Sequence, residues 1–267
     1  MTLSLDLYCP GESWVHRLDP RTKLTMAICG VVMLLAMRSV ALIAIVLLLT
    51  HLLMFSARIP WTRMRSVWQI TAPTMLLIIV LGSLLGPHSG PHLVELWGWG
   101  ISTTAVANAL ATALRIAALA LVISSWLFAT DQSSLVRGLV ALGLPYPYGL
   151  ALAMSLRFIP AIAASFHTIS DAQRARALDL SRGGLIRRAR AYVPIGVAVI
   201  ITSLRAAENL SRALSSRAFA SDTHHTELLT LSFGWRDAVI TLGTLTFTVA
   251  FLWARWTLGI GASPLGL

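Results

Sequence analysis

Two short stretches set an arginine among small residues: RARAL at Arg174 to Leu178 and SSRAF at Ser215 to Phe219. A guanidinium presents five donors in a planar fork that matches a carboxylate, and small neighbours leave that fork uncovered. The chemistry on offer is recognition of an acidic surface. Arg176 and Arg217 would enter a groove, while Ala175, Ala177, Ser216 and Ala218 would let the backbone approach. Nearby charges also follow helical spacing. Asp171 with Arg174, Arg176 with Asp179, and Glu208 with Arg205 and Arg212 stand three or four residues apart and can pair along a helix. Arginines clustered beside a membrane commonly form a solvated, lipid-facing surface, so charge alone leaves both readings open.

Other chemistry is missing. No GxxxxGK[ST] phosphate loop occurs, and the single lysine, Lys23, follows Thr22, so the chain is not expected to hydrolyse ATP. No GxSG, HExxH or GxGD string suggests a membrane hydrolase. His88 and His92 stand four apart in a Gly- and Pro-rich stretch with no acid or thiol, and His224-His225 reads as a solvated turn, so no metal site is expected. Cys9 and Cys29 lack CxxC spacing, which argues against a zinc site or a disulfide framework. Arg115 is the one clear ionisable group deep in an apolar run. A self-sufficient secondary transporter, the alternative reading, would need such groups, whereas a structural arginine would be satisfied by backbone carbonyls.

The elements that carry these residues follow from composition. Of 267 residues, 56% are hydrophobic and 12% charged, and the mean hydropathy is +0.75. An all-α polytopic membrane protein is expected, since a lipid-spanning segment must satisfy its own backbone. The net charge of +10 fits arginines held on the cytoplasmic side, so the lipid bilayer is the expected partner and nucleic acid is not. No signal peptide is recognisable, and the N-terminus is expected in the cytoplasm.

Residues 1–130 read as an N-terminal membrane domain with spans at about 24–37, 40–57, 67–85 and 102–128. Asp19 and Pro20 supply helix-start chemistry, and a break at Arg38-Ser39 divides an apolar run too long for one crossing. The fourth span is rich in alanine and reads as a packing surface. Residues 131–236 read as a cytoplasmic region in which charge breaks the segments too often for simple spans. A short amphipathic helix, SSLVRGLVALGLP, is followed by two long helices kinked at Pro160 and Pro194. Residues 237–267 hold a fifth span and a tail.

Four stretches, YCPGESWVHRLDPRTKL, SLRFIP, AQRARALD and RAAENLSRALSSRAF, resemble in order and spacing the transmembrane T component of energy-coupling factor (ECF) transporters. These are ATP-driven importers of vitamins and transition-metal ions in the cell membrane of prokaryotes. The chain departs at Ala177 and Ala218, where the family usually has glycine, and at Ser216, where it has alanine. The resemblance implies a non-catalytic coupling subunit without a cofactor of its own, ATP being bound by partners. It implies that Arg176 and Arg217 each dock into one of two cytoplasmic ATPase subunits. It also implies contact with a separate membrane substrate-binding subunit, the S component, through Leu152, Leu156, Phe158 and Ile162 and through the alanine-rich span.

Overall fold

The first helix starts where its chemistry requires. In this computed structural model Asp19 accepts the Arg21 N–H through Oδ1 at 2.9 Å, and Pro20 occupies the first turn, where a missing N–H costs nothing. The structure describes residues 8–9, 11, 13–86, 92–96, 99–176, 178, 184–217 and 233–259. Helix α1 (Pro20–Ala36) is separated from α2 (Val40–Ser56) by an extended break at residues 37–39, the division expected at Arg38-Ser39. There follow α3 (Trp61–Leu85), a ribbon of β1 (His92–Leu96) and β2 (Trp99–Ser102), and α4 (Thr103–Ala129). The chain continues with α5 (Gln132–Ala141), α6 (Tyr146–Ala175), α7 (Leu185–Ser216) and α8 (Trp235–Leu258). The strands pair antiparallel, Glu95 with Gly100 and Leu96 with Trp99, an addition to an otherwise all-α fold.

Among the described residues five helices are long and apolar enough to cross a membrane: α3, α4, α6, residues 186–216 of α7, and α8. Three of them, α3, α4 and α8, match expected spans, while α6 and α7 fall in the region expected to be cytoplasmic and qualify by length and composition alone. Helices α1 and α2 have 17 residues each, a rise of about 26 Å, short of the roughly 30 Å hydrocarbon core. Helices α6 and α7 run unbroken for 30 and 32 residues, and each holds an 18-residue apolar window with at most two charged side chains. Most of their arginines fall toward the helix ends, so charge does not interrupt them, and Pro160 and Pro194 sit inside without ending them. Outward-facing residues are oily, with Phe55 80% and Trp256 91% exposed, which suits lipid rather than water.

Contacts divide the chain into two compact units, Asp6–Pro145 with Leu231–Leu267, and Tyr146–Thr230. In the first, α4 is the centre and packs on α1, α2 and α3. Its alanines do this: Ala113, Ala117 and Ala118 are fully buried, and Ala105, Ala107, Ala109 and Ala111 nearly so. The alanine face is thus used within the unit, which corrects its assignment to the S component. At Gly82 on α3 an added Cβ would lie 2.8 Å from the Ala109 Cβ, so only glycine permits this approach of α3 to α4. Helix α5 packs on α1 and α1 on α8.

Candidate docking site

The motif arginines lie at helix ends for local reasons. Helix α6 gives way to a turn in which the Arg176 and Leu178 N–H groups both donate to the Gln173 carbonyl at 3.1 Å. Helix α7 ends at Ser216, and Arg217 is its C-cap, with its N–H turned back to the Leu214 carbonyl at 3.1 Å. A cation at a helix C-terminus faces the negative end of the macrodipole, worth about 0.3–1 kcal/mol when exposed. Both guanidiniums are exposed, and neither has a carboxylate partner among the described residues. Ala175 and Ser216 beside them are exposed too. The Ser216 hydroxyl donates to the Ala213 carbonyl at 2.9 Å, which keeps it on its own helix. Ala177 and Ala218 lie outside the described residues.

Of the expected charge pairs, Asp171 meets Arg174 at 3.6 Å and Glu208 meets Arg212 at 4.0 Å, all of them exposed. Exposed pairs of this kind contribute little, and neither involves a motif arginine. Arg205 has no carboxylate among the described residues, and Asp179, the expected partner of Arg176, lies outside them.

Phe166 of α6 stacks on Tyr192 of α7 with centroids 6.5 Å apart. Further along, residues 154–165 of α6 and 202–215 of α7 bound an apolar cleft of about 670 Å³. Low numbers on α6 face high numbers on α7, so the pair runs antiparallel. Two helix C-termini in an antiparallel pair point opposite ways, which puts Arg176 and Arg217 up to roughly 50 Å apart for straight rods. Phe158 and Ile162 line the cleft with Met154, Leu210 and Leu214, whereas Leu152 and Leu156 are half-buried and do not.

The other compact unit shows what the HRLDPRTK stretch does. Lys23 is 8% exposed, and its ammonium donates to the His16 carbonyl at 3.0 Å and the Ala129 carbonyl at 2.9 Å. Ala129 is the last residue of α4, so the lysine closes a helix C-terminus that would otherwise be orphaned. The Asp237 carboxylate accepts from the Asp19 N–H at 2.9 Å and from the Gly234 N–H at 3.1 Å, joining α1 to the start of α8. Sequence reasoning noted Asp237 only as a span boundary. Its position three residues after Gly234 signals a helix cap, but nothing in the sequence connects it to Asp19.

His16 Nε2 donates to the Cys9 carbonyl at 3.0 Å, which leaves Nδ1 to accept from Ser13 Oγ at 2.7 Å. Burial lowers the His16 pKa from its ordinary 6.5, the nearby Lys23 adds to the effect, and the Cys9 hydrogen bond opposes it. Arg115 behaves as the structural reading expects: its Nη2 donates to the Met37 carbonyl at 2.7 Å, at the break between α1 and α2, while its buried Nε has no partner among the described residues. No cluster of three possible metal ligands occurs among the described residues. His88 and His224-His225 lie outside those residues, as do the side-chain contacts of His92.

Comparison with known proteins draws these features together. The model of the family described as cobalt transport protein (CbiQ) matches residues 11–228, which takes in both arginine tips and the cleft. The chain is similar to an energy-coupling factor transporter transmembrane protein of Brevibacillus brevis, 27% identical over 266 residues, covering 95% of this chain and 98% of the relative. A protein of the same description from Bacillus selenitireducens is 30% identical, with 93% and 96% covered. One from Acidaminococcus fermentans is 29% identical, with 95% and 97% covered.

Proposed function

Because this chain belongs to the CbiQ family and is the transmembrane component of an energy-coupling factor transporter, we propose that it transmits the movement of two cytoplasmic ATPase subunits to a separate substrate-binding membrane subunit. The observation that carries the reading is the pair of exposed guanidiniums, Arg176 and Arg217, at opposite ends of two antiparallel helices and unpaired among the described residues. With α6 and α7 lying along the cytoplasmic face of the membrane, both tips are on that side, and each enters an acidic groove on one ATPase. ATP is held and hydrolysed by those partners, and the chain itself needs no cofactor. As the ATPases close on ATP, their grooves move the tips, and α6 and α7 pass the displacement along their length.

The S component lies against the apolar cleft at Phe158 and Ile162, with Leu152 and Leu156 on the same helix. Its cargo is a vitamin or a transition-metal ion. The complex sits in the cell membrane of a prokaryote with the N-terminus of this chain in the cytoplasm. No observation favours a self-sufficient transporter, because the Arg115 guanidinium is engaged with the Met37 carbonyl.

The test is the double substitution Arg176→Ala with Arg217→Ala. Removing one member of a desolvated charge pair costs roughly 2–5 kcal/mol, so the two ATPases are expected to be lost on co-purification and uptake to stop while the chain still inserts. Normal uptake by the double variant would refute the lever. Uptake by the unaccompanied wild-type chain in proteoliposomes would favour the self-sufficient transporter.

A further inference from the structure

The α6–α7 unit carries nine described arginines and two described carboxylates, Asp171 and Glu208, both already paired with Arg174 and Arg212. Its densest unmatched charge lies in the first turns of α7. Arg187, Arg188 and Arg190 are exposed, the first turn has no acidic residue, and none of the three meets a carboxylate among the described residues. Cations at a helix N-terminus face the positive end of the macrodipole, so the helix itself does not favour them there. An anion outside the unit would.

The surface beside these arginines narrows what that anion is. Ile186, Val193, Val197, Ile200 and Leu204 are 79%, 57%, 51%, 60% and 60% exposed. Their spacing of seven, four, three and four residues places them on one helical face, and none lines the cleft against α6. Arg190 falls on that same face and Tyr192, 44% exposed, follows it. A folded acidic protein would neutralise the arginines but has no general reason to cover a long aliphatic stripe. A phospholipid with an anionic headgroup does both, with phosphate on the guanidiniums and acyl chain along the stripe.

We propose that the amino-terminal turns of α7 are a docking surface for anionic phospholipids, held by Arg190 on the Ile186–Leu204 stripe and Arg187 at its flank, with Arg188 on the far side of the same turn adding positive charge. The surface is distinct from both motif arginines and does not depend on the docking reading. Bilayer charge would then bear on one end of the α6–α7 pair.

Reconstituting the full chain with its partner subunits in phosphatidylcholine vesicles containing a photoactivatable phosphatidylglycerol or phosphatidylcholine tests this. After illumination, lipid adducts are mapped on the peptide spanning residues 184–197. Phosphatidylglycerol is expected to label it at least about tenfold more than phosphatidylcholine, consistent with several arginines at an anionic interface. The triple variant R187Q/R188Q/R190Q should bring the two lipids to parity and R187K/R188K/R190K should keep most of the difference, both with unchanged ATPase co-purification. Equal labelling of the wild type would overturn the proposal. So would a glutamine variant that sheds the ATPases while its labelling stays the same, since the surface would then be a protein dock.

Discussion

In the unit built around α4, Asp19, Lys23 and Asp237 are at most 8% exposed, and each makes hydrogen bonds inside that unit. In the α6–α7 unit all nine described arginines are on the surface, and only Arg174 and Arg212 meet a carboxylate among the described residues. A buried charge must be satisfied by its own chain or the fold does not form, whereas an exposed one can wait in water for a partner. The difference separates charges that hold the protein together from charges that it offers to others. It also explains why two basic stretches of one chain, HRLDPRTK and RAAENLSRALSSRAF, have opposite uses.

The contrast is most exposed to refutation at Lys23. Lys23→Met leaves the His16 and Ala129 carbonyls without their donor and two buried carboxylates without a counter-charge. A loss of about 3–5 kcal/mol is expected, seen as a lower thermal midpoint of the purified protein in detergent. An unchanged midpoint would erase the distinction between the two regions. Asp237→Asn should act in the same direction but less, about 1.5–3 kcal/mol, because the amide replaces a charged acceptor on the Asp19 and Gly234 N–H groups. Urea unfolding in mild detergent would measure it.

Arg176→Ala and Arg217→Ala probe the other side of the comparison. Each should shift folding stability by less than about 0.5 kcal/mol, although the pair is expected to abolish coupling. A large stability loss from either would mean that the tip is part of the fold. The smallest effect concerns His16. Burial depresses its folded-state pKa below the unfolded value of 6.5, so the unfolded chain takes up the proton first as pH falls. Stability from this group is complete above about pH 6.5 and declines below it, until the folded imidazole also titrates. The thermal midpoint should therefore fall more steeply on acidification in the wild type than in His16→Asn.

Much of the architecture was legible because the signals were local. The Asp19-Pro20 start, the break at Arg38-Ser39 and the long helices through Pro160 and Pro194 each follow from a few adjacent residues. Unbroken apolar length in α6 and α7 is greater than a count of their charges suggests, because most of those charges lie toward the helix ends. The alanine-rich helix was correctly seen as a packing surface, but its partners were not, because small residues state that something comes close without saying what. Of the four residues expected against the S component, the structure brings Phe158 and Ile162 to the cleft and leaves Leu152 and Leu156 off it, a distinction of helical phase that the stretch SLRFIP does not display.

The amino-acid sequence by itself determined that this chain is a helical membrane protein, where most of its helices begin, and which arginines stand among small residues. Those properties depend on hydropathy and on neighbours within a turn or two. Only the tertiary structure decided that Lys23 closes α4, that Asp237 holds the Asp19 N–H across 218 residues, and that α6 and α7 send their tips in opposite directions. Such pairings depend on which surfaces exclude lipid and water together, and that is settled by packing between distant segments rather than within any one of them.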